Sequence, residues 1–107
     1  MTINSRQKGK AGELELAAFL RERGYEARRG QQFSGGADSP DVIGIPGIHI
    51  EAKRTEAGSL YAWLDQAIRD AGTSKTPLVC HRRNRREWVA ILRLDDFLTI
   101  LKQGPKS

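Results

Sequence analysis

Cysteine is almost absent from this sequence, and that removes a whole set of folds. Cys80 is the only one in 107 residues. No internal disulfide can form, and no cysteine-rich zinc site can be built. Cys80 stands in the apolar run Leu78-Val79-Cys80 and reads as a buried, inert thiol. Long hydrophobic runs are missing as well. Nothing approaches the roughly 20 apolar residues of a membrane span. The N-terminal MTINSRQKGK carries no apolar signal-peptide core. The expected setting is the cytoplasm, with no membrane partner. There are no internal repeats and no low-complexity segment. Acidic residues are in deficit, with 13 Asp and Glu against 18 Lys and Arg, a net charge of +5. A basic surplus on a small domain is an electrostatic footprint suited to nucleic acid. The apolar fraction of 38% and charged fraction of 29% are those of a globular protein. The length fits one domain over residues 1–107, with residues 1–7 as a flexible basic arm.

What is present is organised around PDVIGIPGIHIEAK, residues 40–53. Val42, Ile43 and Ile45 read as one strand, Pro46-Gly47 as a tight turn, and Ile48 to Lys53 as a second strand. Side chains alternate along a strand. Ile48, Ile50 and Ala52 therefore face one way, and His49, Glu51 and Lys53 the other. Pairing of the two strands brings Asp41 beside Glu51 and Lys53. Two carboxylates and a lysine at one point suit a hard divalent cation such as Mg²⁺. Such an ion polarises a phosphoryl oxygen and activates water, while the lysine can hold that water or steady developing charge.

Before this unit, a helix pattern runs from Arg6 or Lys8 to Arg23, with Gly24 as its stop. Leu20, Ala17, Leu16 and Glu13 share one face, so a carboxylate continues the apolar stripe. Tyr25 to Phe33 reads as a strand bearing Arg28 and Arg29, which are candidate contacts to DNA phosphate. The loop Ser34-Gly35-Gly36-Ala37-Asp38-Ser39 is rich in residues that let a backbone approach phosphate, and Asp38 in it is a weaker candidate for the metal site.

After the unit, Ser59 is a good N-cap for a helix whose apolar face is Leu60, Trp63, Leu64, Ala67, Ile68 and Ala71, ended by Gly72. A hairpin follows, Leu78–Arg82 and then 87–94, with Asn84 at the turn centre. Arg82, Arg83, Arg85 and Arg86 make its tip densely cationic. Lys8 and Lys10 are set as the other edge of a phosphate-binding footprint. Few aromatics flank the hairpin, which is thin for an RNA-binding module built on base stacking. Asp95 or Asp96 is expected to cap a last helix on which Phe97, Leu98, Ile100 and Leu101 pack inward.

Asp41, Glu51 and Lys53, in P-D and E-A-K, resemble the PD-(D/E)XK nuclease motif. KGKAGELELAAFLRERGY, with Lys8, Gly9, Glu13 and Gly24, resembles the first helix of the archaeal Holliday-junction resolvases. The resemblance covers about Lys8 to Leu94. It implies an α/β restriction-endonuclease-like core, αβββαβ, with a mixed central sheet between helices, here with an extra strand and a C-terminal helix. It implies that Glu13 joins Asp41, Glu51 and the Ala52 carbonyl as metal ligands, that Lys53 assists water, and that Ser34-Gly35 positions backbone phosphate. It also implies that Gln66 orients the lysine or the water. The implied activity is a metal-dependent endodeoxyribonuclease using Mg²⁺, with Mn²⁺ as a substitute, acting on four-way DNA junctions as a homodimer. The shorter chain and the arginine hairpin depart from that family. A small phage-type endonuclease of flaps, single strands or nicked DNA, working in a host cytoplasm, has the same pattern, and so does a catalytically silent DNA-binding module.

Overall fold

A computed structural model of the chain describes residues 5–30 and 39–103. Ser34, Gly35 and Asp38 lie outside the described residues, as do Met1 to Asn4 of the expected arm. The elements run α1 (Ser5–Arg21), β1 (Arg28–Arg29), β2 (Val42–Ile43), β3 (Ile48–Arg54), α2 (Leu60–Ala71), β4 (Thr76–Arg82), β5 (Val89–Ile91) and α3 (Leu94–Gln103). Among the described residues five strands form one sheet in chain order. Only β3 and β4 are parallel, and the other neighbours are antiparallel. The mixed α/β architecture expected from the sequence is the one observed.

The β3–α2–β4 crossover is the centre of the sheet, and it follows from local signals. Gly47, at φ +81°, turns the chain into β3. Ser59 caps α2, its Oγ accepting from the Ala62 amide at 3.3 Å, and Gly72 ends it at φ +64°. Alternation along β3 then sorts the two faces. Ile50 packs with Leu16 and Ala17 of α1, Val42 and Cys80, while Ile48 and Ala52 border that cluster. The opposite row, His49, Glu51 and Lys53, faces α2, which supplies Gln66 to Lys53 and Asp70 beside Glu51. Close approach of α1 to β3 depends on Gly12, where a Cβ would stand 2.6 Å from the Arg54 Cβ. The core is small. Each fully buried aliphatic such as Leu16, Val42, Ile50 or Val79 contributes about 1.5–3 kcal/mol, so a few kcal/mol of unfavourable charge at the site matters. Cys80 is buried as expected, and burial pushes its thiol up to about 12.

Several expectations are corrected. The first strand of the central hairpin stops at Ile43, because Gly44 at φ +125° breaks the extended run before Ile45. α1 begins at Ser5, inside the expected arm. Among the described residues the arginine-bearing strand is Arg28–Arg29 alone. At the second hairpin, Arg85 takes the positive φ of +61°, not Asn84. The Asn84 amide is instead committed to Glu56 Oε2 at 2.7 Å, and its side chain accepts from Arg54. Asp95 and Asp96 lie within the first turn of α3 rather than before it. The apolar residues of α3 do not pack inward: Leu94, Phe97, Leu98, Ile100 and Leu101 are all exposed.

Candidate active site

Antiparallel pairing of β2 and β3 sets the acidic pair. Val42 lies opposite Ile50, and the Asp41 amide donates to the Ile50 carbonyl at 2.8 Å. Asp41 is thus level with the next residues of β3, and its Oδ2 accepts from the Ala52 amide at 2.9 Å. The Asp41 and Glu51 carboxylates are in hydrogen-bond contact, and Glu51 is only 3% exposed. Burial first, then the Asp41 charge and that hydrogen bond, push Glu51 up to about 9, with Asp70 adding to the effect and Lys53 opposing it. The close Asp41 carboxylate and the burial make a charge on Glu51 costly, so Glu51 tends to keep its proton. The donors are hard oxygens, the set that Mg²⁺ or Mn²⁺ takes, and the residues fit a divalent ion in place of that proton.

Lys53 lies on the same face, and its Nζ donates to Gln66 Oε1 at 3.1 Å. Gln66 is in place because Trp63, Gln66 and Asp70 recur at i, i+3 and i+7 on the side of α2 that meets β3 and β4. The resemblance implies that Gln66 orients the lysine or the water, and its bond here is to the lysine. Two further residues around Glu51 are not among the expected site residues. His49 Nε2 lies 2.9 Å from Glu51 Oε1, both side chains being buried. His49, Glu51 and Asp70 each present a possible metal-ligating atom within 4.8 Å of one another. Alternation placed His49 on the Glu51 face. No spacing rule in the sequence reaches from there to Asp70.

The remaining candidates divide. Glu13 is half-buried on α1 and near enough to Asp41 for the two charges to repel. Burial first, and then Asp41, raise its carboxyl, against the hydrogen bond from Arg29 that lowers it. That bond is 2.6 Å, so Arg29 serves as the cation for Glu13. Arg28 and Lys10 are exposed, and the Lys8 side chain lies outside the described residues. Arg82 is not part of a free cationic tip. It donates to Glu15 Oε2 at 2.6 Å, and Glu15 also binds Arg54 at 3.1 Å. Arg83, Arg85 and Arg86 are exposed, and among the described residues no acid is paired with them.

No curated protein matches the chain. Among solved structures, it is similar to Hjc, a Holliday junction resolvase from the archaeal hyperthermophile Archaeoglobus fulgidus. The TM-score is 0.58 and the identity 24%, over 79% of this chain and 72% of that one. At that identity the likeness is one of fold. The family described as "Phage putative PDDEXK endonuclease" matches residues 4–106. That match spans the strand pair, the acidic site and both hairpins, and the chain belongs to this family of PD-(D/E)XK nucleases.

Proposed function

We propose that the chain is a single-domain, metal-dependent endodeoxyribonuclease that cuts branched DNA, with a four-way junction as the favoured substrate. The observation that carries the hydrolytic part is the Asp41–Glu51 contact with Lys53 on the same face, tethered by Gln66. Asp41, Glu51 and the Ala52 carbonyl would hold Mg²⁺ or Mn²⁺, and Glu13 would join them once Arg29 releases it. The ion supplies a polarised phosphate and a water of lowered pKa. Lys53 has donors left beyond its bond to Gln66. It orients the attacking water and meets the charge that builds on the phosphoryl oxygens. Water oxygen bonds to phosphorus, the P–O3′ bond breaks, and the 3′ oxygen leaves and gains a proton. The products are a 5′-phosphate and a 3′-hydroxyl.

Arg28, Arg83, Arg85 and Arg86, with Lys8 and Lys10, and with Ser34 and Gly35, would contact the DNA backbone. Arg29 would do so after leaving Glu13. Resolving a junction takes two symmetric cuts, which a two-fold dimer supplies. The dimer reading is supported by α3, where Leu94, Phe97, Leu98 and Leu101 form an exposed stripe at i, i+3, i+4 and i+7. The setting would be the cytoplasm of a phage host.

A second reading is a small phage-type endonuclease of flaps, single strands or nicked DNA, in keeping with a family match whose description names a phage endonuclease and no substrate. Labelled junction, duplex, flap and single strand, incubated with Mg²⁺, separate the two. Paired symmetric nicks in the junction support the first, and cutting confined to flap or single strand supports the second.

A further inference from the structure

Beside the acidic site lies a cleft of about 310 Å³ that the assigned chemistry does not use. Trp63 and Leu60 of α2, His81 of β4 and Val89 of β5 form its walls, and Arg83 and Arg86 stand on its rim. We infer that this cleft holds one unpaired nucleotide next to the bond to be cut, so that the enzyme selects DNA from which a base can be turned out. The inference rests on the nuclease reading and adds to it a determinant of substrate choice.

The walls offer aromatic surface on which a base can lie, with Trp63 and His81 packed on each other rather than opening a slot. The Trp63 and His81 rings lie 4.7 Å apart, tilted by 45°. His81 Nε2 donates to the Thr55 carbonyl at 2.9 Å, which fixes that ring. Trp63 is held too, since a Cβ on Gly58 would collide with the indole. The two rings are therefore positioned before any ligand arrives, and bases stack on such surfaces whatever their identity. The volume is at the small end of ligand sites, too small for a helix or a folded partner. The rim offers two arginines to phosphate. Of the acids there, Glu56 is engaged by the Asn84 amide and by Arg54, which leaves Glu87 as the one uncommitted carboxylate against two cations.

Position ties the cleft to the reaction. His81 is the direct neighbour of Lys53 across the β3–β4 pair, about 4.8 Å away in strand spacing. Trp63 precedes Gln66, the partner of Lys53, by three residues, just under one helical turn. A base stacked within duplex cannot enter, so only unpaired or extruded nucleotides gain the contact.

The test is binding, by fluorescence anisotropy in EDTA, of a duplex and of the same duplex with one unpaired nucleotide. The bulged form is expected to bind about tenfold tighter. Trp63→Leu should cut that advantage to under twofold while leaving the paired duplex unchanged. Equal affinity of the native protein for both forms overturns the inference. Should Trp63→Leu fail to fold, a 5-iodouracil placed at the bulge is photocrosslinked to the native protein. Attachment at Trp63 or His81 supports the cleft, and attachment elsewhere overturns it. Lys53-dependent cleavage in Mg²⁺ judges the nuclease reading separately. Cleavage without bulge preference removes the cleft and keeps the nuclease, and bulge preference without cleavage does the reverse.

Discussion

Replacing Glu51 by Gln should stabilise the metal-free protein at neutral and alkaline pH while abolishing its activity. Glu51 is 3% exposed and in contact with Asp41, with Asp70 close by. Its folded-state pKa, pushed up to about 9 from 4.5, means the folded protein holds the proton more tightly than the unfolded chain. The contribution is therefore complete below the unfolded value of 4.5 and is lost as pH rises from there toward about 9. Between pH 5 and pH 8 the loss is about three pH units at 1.36 kcal/mol each, on the order of 3–4 kcal/mol. For a domain of this size about 1 kcal/mol moves Tm by roughly 4–8 °C. In EDTA at fixed ionic strength, the native Tm should fall by roughly 12–32 °C from pH 5 to pH 8. Glu51→Gln should flatten most of that fall, and the difference between the two proteins cancels the groups remote from the site. Mg²⁺ or Mn²⁺ should restore the native Tm at pH 8 and leave the variant unmoved. Parallel pH profiles for the two proteins would refute the account of Glu51 as a carboxylate held against its neighbours.

Gln66→Ala should lower kcat by roughly ten- to a hundredfold with little change in KM, because it leaves Lys53 present but untethered. Single-turnover cleavage with saturating enzyme reads this. Arg82→Ala should differ in kind from Arg83→Ala, Arg85→Ala and Arg86→Ala. The first breaks the Glu15 pair and costs about 1 kcal/mol in a denaturant melt. Each of the other three should reduce the slope of log K against log salt by about 1. Leu98→Asp with Leu101→Asp in α3 should convert a dimer to a monomer by light scattering while leaving the helical circular-dichroism signal unchanged, since both side chains are exposed within the chain.

Much of the site could be read from strand alternation. A period of two put Glu51 and Lys53 on one face and Ile50 on the other, and the Pro46-Gly47 turn brought Asp41 beside them. Helix signals were as informative for the element, since Ser59 and Gly72 bound α2, but Gln66 as the residue near Lys53 is implied by the family resemblance and not by those bounds. What could not be read depends on partners far away in sequence. Four arginines in one tip look alike, yet alternation along β4 sends Arg82 to Glu15, 67 residues distant, while its neighbour His81 faces α2. Arg29 reads as a phosphate contact until Glu13 is seen 2.6 Å away. His49 and Asp70 close around Glu51 from two different elements. The period of α3 shows that it has an apolar face, but not what covers it. Few aromatics argued against base stacking, and only the fold brings Trp63 against His81.

The measurement that tests the central claim most directly is cleavage of a labelled four-way junction by the native chain and by Lys53→Ala. Both are run with Mg²⁺ and with EDTA, and binding is checked in parallel. The account predicts cutting by the native chain in Mg²⁺ alone, with Lys53→Ala binding the junction normally and leaving it intact. Cutting that survives EDTA, or that survives the loss of Lys53, would contradict it.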